Sequence, residues 1–177
     1  HFKAIAATTA LPGILYNVPS RTSLNMSFET TIKLSEIDNI IGIKEASSDP
    51  VQITQIITEA PDGFRVCSGN DDETFPIMCT GGYGIVSVAA HIIGNQIQAM
   101  IGNILEGDIE SAATEHRRML PFFKAIFWVT NPVPIKYAVN RAGMAIGETR
   151  LPLIGPDASF KSKFDPVMDN YQVDLAL

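Results

Sequence analysis

The architecture can be worked out from Ile40-Ile41-Gly42-Ile43-Lys44-Glu45-Ala46-Ser47. Three β-branched isoleucines around one glycine predict a strand buried on both faces, of the kind found in parallel sheets. Side chains alternate along a strand, so Ile40, Gly42 and Lys44 share one face while Ile41 and Ile43 share the other. Gly42 removes bulk from the face that carries the lysine. α/β enzymes, barrels included, build their sites at the carboxyl ends of such strands. Desolvation disfavours an ammonium, which makes a lysine placed there a better nucleophile. Position alone leaves a second reading open, a solvated lysine whose stem covers apolar surface.

Outward from this strand the pattern is strand then helix, four times over. Leu11-Pro12-Gly13 breaks the chain before a strand over residues 14–18, which Pro19 ends; Ser20-Arg21-Thr22-Ser23 reads as a polar loop. Ser27 caps a helix through Phe28, Ile32 and Leu34. Asp49-Pro50 starts another, with Val51, Ile53, Ile56 and Ile57 as its apolar side. A third strand covers 64–68, and Gly69-Asn70-Asp71-Asp72-Glu73 opens a helix through Phe75, Ile77 and Met78. The fourth strand covers 84–89, with His91 at its end. Helices follow: an apolar stripe from Ile93 to Leu105, a segment over 109–128 interrupted near Pro121, one from Asn131-Pro132 to about Gly143, and a last one over about 164–175. Repeated βα units imply a parallel sheet. Four units make half of a (β/α)8 barrel, a fold of about 250 residues; a doubly wound sheet is the alternative. On the barrel reading residues 1–106 hold the four units, and residues 107–177 form a carboxyl-terminal helical region continuous with them. His1 to Ala6 reads as the tail of a helix already under way, as in a fragment.

Hydrophobic residues make up 46% and charged residues 18% of the 177, which fits a packed domain rather than a disordered chain. A net charge of −6 with no basic cluster argues against a nucleic-acid surface. No apolar run reaches the length of a membrane span. Two cysteines, Cys67 and Cys79, make no disulfide framework, and the cytoplasm is the expected compartment.

Tyr16 falls near the carboxyl end of the first strand as Lys44 does on the second. A phenol beside a lysine can move the protons that imine formation requires, although a core aromatic with a hydrogen-bonded hydroxyl has the same signature. Arg21 follows on the same end of the sheet, and its planar fork suits a carboxylate or, equally, a surface ion pair. Gly69, after the third strand, lets backbone approach a ligand. The acidic run after it reads as the first turn of a helix rather than a magnesium site. Gly81-Gly82-Tyr83-Gly84 precedes its strand, so it is no dinucleotide loop. His116 reads as solvated. Neither zinc-ligand spacing nor a serine nucleophile elbow occurs.

Tyr16-Asn17-Val18-Pro19-Ser20-Arg21-Thr22, Gly42-Ile43-Lys44-Glu45-Ala46, Ser68-Gly69-Asn70-Asp71-Asp72, Gly82-Tyr83-Gly84-Ile85-Val86-Ser87-Val88 and Asn131-Pro132-Val133-Pro134-Ile135-Lys136 occur in that order. Together they resemble the carboxyl-terminal part of the dihydrodipicolinate synthase family, within the pyruvate-dependent Schiff-base lyase and aldolase superfamily. The resemblance implies a (β/α)8 TIM barrel, of which this chain carries the last four units and the following helices. It implies lysine (diaminopimelate) biosynthesis: pyruvate held as an imine on Lys44 condenses with aspartate semialdehyde, with no other cofactor and no metal. Tyr16 would relay protons and Arg21 would bind the carboxylate of the semialdehyde. Gly69 and the backbone of Val86 would line the pyruvate pocket. The family is usually a cytoplasmic homotetramer. Its first four strands, its threonine pair, its second tyrosine and its lysine-feedback residues have no counterpart in this chain. A sister aldolase of the sialate lyase or keto-deoxy-sugar type is the nearest alternative, and Arg21 favours the synthase. A catalytically silent half-barrel for binding or assembly is the alternative from another class. With the other half missing, Ile14, Ile40 and Val86 are expected on an uncovered inner face.

Overall fold

The computed structural model describes residues 1–174. They divide into two compact units, His1–Val86 and the residues from Ser87 onward. The first unit runs α1 (Phe2–Ala6), β1 (Gly13–Asn17), α2 (Pro19–Thr22), α3 (Phe28–Ser35), β2 (Ile40–Glu45), α4 (Pro50–Glu59), β3 (Arg65–Ser68), a 3-10 turn (Asp71–Glu73), α5 (Thr74–Cys79) and β4 (Gly84–Ile85). Among the described residues the four strands form one parallel sheet in the order β1-β2-β3-β4. The order follows the chain without reversal. A doubly wound sheet changes direction at a switch point, whereas a barrel adds each strand beside the last.

Local chemistry sets the element boundaries. The Ser27 hydroxyl accepts the Thr30 N–H at the start of α3, and one carboxylate oxygen of Asp49 accepts the N–H groups of Val51 and Gln52 at the start of α4. These are the orphan donors of a first turn, and each such cap contributes about 1 kcal/mol. Asn39 ties the approach to β1 by donating to the carbonyls of Ala6 and Thr9 at 3.0 and 2.9 Å.

One face of the sheet is covered. Leu15, Ile43 and Val66 are register partners across β1, β2 and β3 there and pack with Leu34, Ile53, Ile56 and Ile77 from α3, α4 and α5. Burial of side chains such as Ile43 and Ile56 contributes about 1.5–3 kcal/mol each. The opposite face carries Ile14 and Tyr16, Gly42 and Lys44, Arg65 and Cys67, then Gly84 and Val86. Ile14 and Val86 remain 55% and 44% exposed, as expected of an uncovered inner face.

Ile40 departs from that expectation and is buried in the core with Leu15 and Leu34. Gly13 pairs with Ile40 but Ile14 pairs with Gly42, so Ile41 is one residue too many for the ladder. The irregularity reverses the alternation, and Ile40 turns to the covered face. Other boundaries differ as well. Residues 19–22 form the short helix α2 rather than a loop, because Pro19 fits a first helical turn. Val51 lies on the solvent side of α4, and Gln52 takes the buried place instead. β4 is two residues long, not six: β3 stops at Ser68, and the last backbone bond between them runs from Val86 N–H to the Ser68 carbonyl.

The second unit is helical: α6 (Ala90–Leu105), α7 (Ile109–Ala125), α8 (Val133–Arg141) and α9 (Ala158–Met168). His91 belongs to the first turn of α6 and not to a strand, and α6 breaks at Ile93, whose backbone is non-helical. Pro121 lies inside α7 without ending it. Phe122, Phe160 and Phe164 form an aromatic core for α7 and α9, with the rings of Phe160 and Phe164 stacked at 5.0 Å. His116, expected in solvent, is half-buried, with its ring 6.2 Å from that of Phe123. α9 starts at Ala158, capped by Asp157, well before the expected position. The expected end of that helix at Leu175 lies outside the described residues.

Within the described residues β1 and β4 each pair on one side only, next to the exposed Ile14 and Val86. Open edges and apolar faces of this kind drive association. A polypeptide of residues 1–177 purified alone should therefore self-associate or aggregate in light scattering. A monodisperse monomer with cooperative unfolding would contradict this.

Candidate active site

The carboxyl ends of all four strands meet on one edge of the sheet. Tyr16 and Lys44 are penultimate in β1 and β2 and are register partners. Their side chains therefore leave the sheet on the same face, and Lys44 Nζ stands 4.4 Å from the centroid of the Tyr16 ring. A cation over a phenol ring is attracted by the ring's quadrupole. Tyr16 is half exposed and Lys44 half-buried, so the amine is reachable from the open face yet leans on an aromatic wall.

Gly69 directly follows β3, and its N–H donates to the Glu45 carbonyl at 2.6 Å. A Cβ there would lie 2.7 Å from the Ala46 Cβ and 3.0 Å from the Glu45 oxygen. The missing side chain is thus a condition for the close approach of β3 to the end of β2. Gly42 plays the same part lower on that pair, where a Cβ would sit 2.5 Å from the Arg65 carbonyl oxygen. Val86 directly follows β4. Arg21 lies in the exposed last turn of α2, reached directly from β1. The sheet therefore brings Tyr16 and Lys44 into contact and sets Gly69 and Val86 at the ends of the next two strands. Arg21 stands on the segment leaving the first.

Cys67, opposite Lys44 in β3, shares this face. Burial pushes its thiol up from the ordinary value, with Arg65 offsetting part of the rise. The uncharged thiol makes this neighbour of the amine an apolar one. In the acidic run, Asn70 donates to Glu73 at 2.9 Å and to the Ser48 hydroxyl at 3.2 Å, which ties the two strand-end loops together. Among the described residues no group of three His, Cys, Asp or Glu side chains is placed to hold a metal ion.

Sequence reasoning passed over the residues beneath the site. Glu45 follows Lys44, points to the covered face and is fully buried. Its carboxylate accepts from Asn17 Nδ2 at 3.0 and 3.1 Å, from the Ser47 N–H at 2.8 Å and from Gln52 Nε2 at 3.4 Å. The signal was present in the alternation: Glu45 falls on the face of Ile41 and Ile43, where a charge needs hydrogen-bond partners.

Residues 1–170 match the model of the dihydrodipicolinate synthetase family. The 4-hydroxy-tetrahydrodipicolinate synthase of Moorella thermoacetica is 52% identical over 163 residues, covering 92% of this chain and 56% of that protein. A dihydrodipicolinate synthase crystal structure from Bacillus anthracis superposes with a TM-score of 0.94 at 40% identity, over 97% of this chain and 59% of that one. The enzyme from Acinetobacter baumannii, solved in complex with pyruvate, gives a TM-score of 0.91 at 31% identity, over 96% and 58% of the two chains. The chain thus spans somewhat more than half the length of the relatives it matches. The sheet is part of a (β/α)8 barrel, as in these structures.

The close approach at Gly69 has a measurable weight. In a full-length protein carrying this segment, Gly69→Ala should destabilise by about 1–3 kcal/mol, the usual cost of forcing an extra methyl into a packed position. Urea unfolding should show a lower midpoint with an unchanged slope; an unchanged midpoint would mean that the strand ends have slack.

Proposed function

We propose, on the premise that this chain belongs to the dihydrodipicolinate synthetase family, that it supplies the imine-forming half of a 4-hydroxy-tetrahydrodipicolinate synthase. The observation that carries the reading is the Lys44 amine over the Tyr16 ring at the carboxyl end of a parallel sheet. Lys44 Nζ attacks the ketone carbon of pyruvate; the carbinolamine loses water and leaves an imine. Tyr16 hands a proton to the departing hydroxyl and takes one back, which is general acid–base work within reach of the amine. Loss of a methyl proton turns the imine into an enamine, whose carbon attacks the aldehyde of aspartate semialdehyde. The amino group of the new chain then closes on the imine carbon and releases Lys44.

Arg21 is assigned to the carboxylate of the semialdehyde, which its planar fork matches with two parallel hydrogen bonds. Gly69 and the backbone of Val86 are assigned to the pyruvate pocket. The lysine amine provides the covalent link, so the reading needs no external cofactor. It includes residues 107–177 as a helical region continuous with the barrel, and a cytoplasmic homo-oligomer acting in lysine biosynthesis. Among the described residues no helix is long and apolar enough to cross a membrane.

Borohydride reduction in the presence of pyruvate should label Lys44 in the full-length protein. Peptide mapping that finds the adduct on Lys136 or any other lysine would overturn the assignment. Tyr16→Phe should lower turnover by about 10²–10⁴, the usual contribution of a general acid–base group, with folding nearly unchanged because only the hydroxyl of a half-exposed residue is lost. Turnover within a few-fold of the parent would reduce Tyr16 to a packing residue. Aspartate semialdehyde should be the preferred aldehyde; preference for a sugar aldehyde would move the protein to the sister aldolases.

A further inference from the structure

The geometry points to Glu45 as a positioning residue, a buried carboxylate that holds Lys44, Tyr16 and the Arg21 segment in register from the far side of the sheet. The inference rests on the reading of Lys44 and Tyr16 given above.

Tyr16 is followed by Asn17 and Lys44 by Glu45, and Asn17 and Glu45 are themselves register partners. The reactive pair and the buried pair are thus adjacent rungs of one ladder, facing opposite ways. Any twist of either strand end that separates Tyr16 from Lys44 must break the bonds between Asn17 and Glu45. The network extends further. Asn17 Oδ1 accepts the Met26 N–H at 2.9 Å, and Asn17 Nδ2 donates to Asn25 Oδ1 at 2.8 Å. Asn25 Nδ2 donates to Gln52 Oε1 at 2.9 Å, and Gln52 Nε2 donates to the Met26 carbonyl at 3.2 Å. Asn25 and Met26 lie on the segment that returns from α2, which carries Arg21. One carboxylate therefore anchors β1, β2, α4 and the return of the arginine segment. The Glu45 backbone carbonyl also receives the Gly69 N–H.

The network has a fixed polarity. Because Asn17 Oδ1 is occupied by the Met26 N–H, its Nδ2 must face Glu45. Three donor groups, from Asn17, Gln52 and Ser47, converge on the carboxylate. A carboxamide of the same shape offers one acceptor oxygen and sets an N–H against a donor. Glu45→Gln therefore disturbs the register with almost no change of volume.

The test measures kcat per borohydride-labelled site in the full-length protein carrying this segment. Glu45→Gln should still be labelled at Lys44 but turn over about 10–10²-fold more slowly per labelled site, as a small misplacement of reacting groups does. The KM for pyruvate should move much less than kcat. A Glu45→Gln protein whose folded fraction falls while kcat per labelled site stays at the parent value would overturn the inference, leaving Glu45 a structural staple. Should Glu45→Gln not fold, Gln52→Met removes one outer donor and is read by the same ratio, with an unchanged kcat per labelled site again overturning the inference. A label on a different lysine would instead sink the imine assignment itself, so the two failures are distinguishable.

Discussion

A parallel ladder cannot fix one of its faces without fixing the other. In this protein the rung that places Asn17 against Glu45 comes directly after the rung that places Tyr16 against Lys44. The covered face is dense, apolar and hydrogen-bonded; the open face is half exposed and chemically sparse. What the proposed chemistry asks of the open face, an amine held against a phenol ring, the covered face supports through a buried hydrogen-bond network one rung further on. Rigidity is built on one side of the sheet and used on the other.

The arrangement has an energetic logic. A lone carboxylate in the interior is costly unless its oxygens are satisfied, and a partly satisfied network is worse than an apolar core. Glu45 draws on donors from two side chains and one backbone group, while Gly42 and Gly69 permit the close approach of β3 to β2. Neither glycine is tolerated for flexibility here. Each is a place where two backbones come closer than any side chain permits.

The sequence made the order of elements readable because it is written in local signals: caps at Ser27 and Asp49, breakers at Pro12 and Pro19, β-branched runs between them. Lys44 and Tyr16 were legible because strand alternation and strand-end position are one-dimensional patterns. The polar network was not, since Asn17, Asn25 and Gln52 are scattered along the chain and become one group only when β1, α4 and the segment between α2 and α3 are packed. The extent of β4 was hidden for a similar reason. An apolar run such as Val86-Ser87-Val88-Ala89 is strand-like by composition, but a ladder extends only as far as its partner, and β3 ends at Ser68. Ile40 was misplaced because alternation assumes an unbroken count, and the count breaks at Ile41.

That break gives β2 two phases. Before it, an even-numbered position points to the covered face; after it, even-numbered positions point to the open one. The amino-terminal end can thus lend Ile40 to the core while the carboxyl-terminal end keeps Lys44 on the open side, which no uninterrupted strand of this sequence could do. Chain length is accordingly negotiable at one place in this strand. Losing a residue at Ile41 would shorten the run into the sheet and leave the later rungs matched as they are. Losing one between Gly42 and Glu45 would turn the amine into the core and the carboxylate into solvent. The extra isoleucine is a spacer that separates the length of the strand from the handedness of its chemistry.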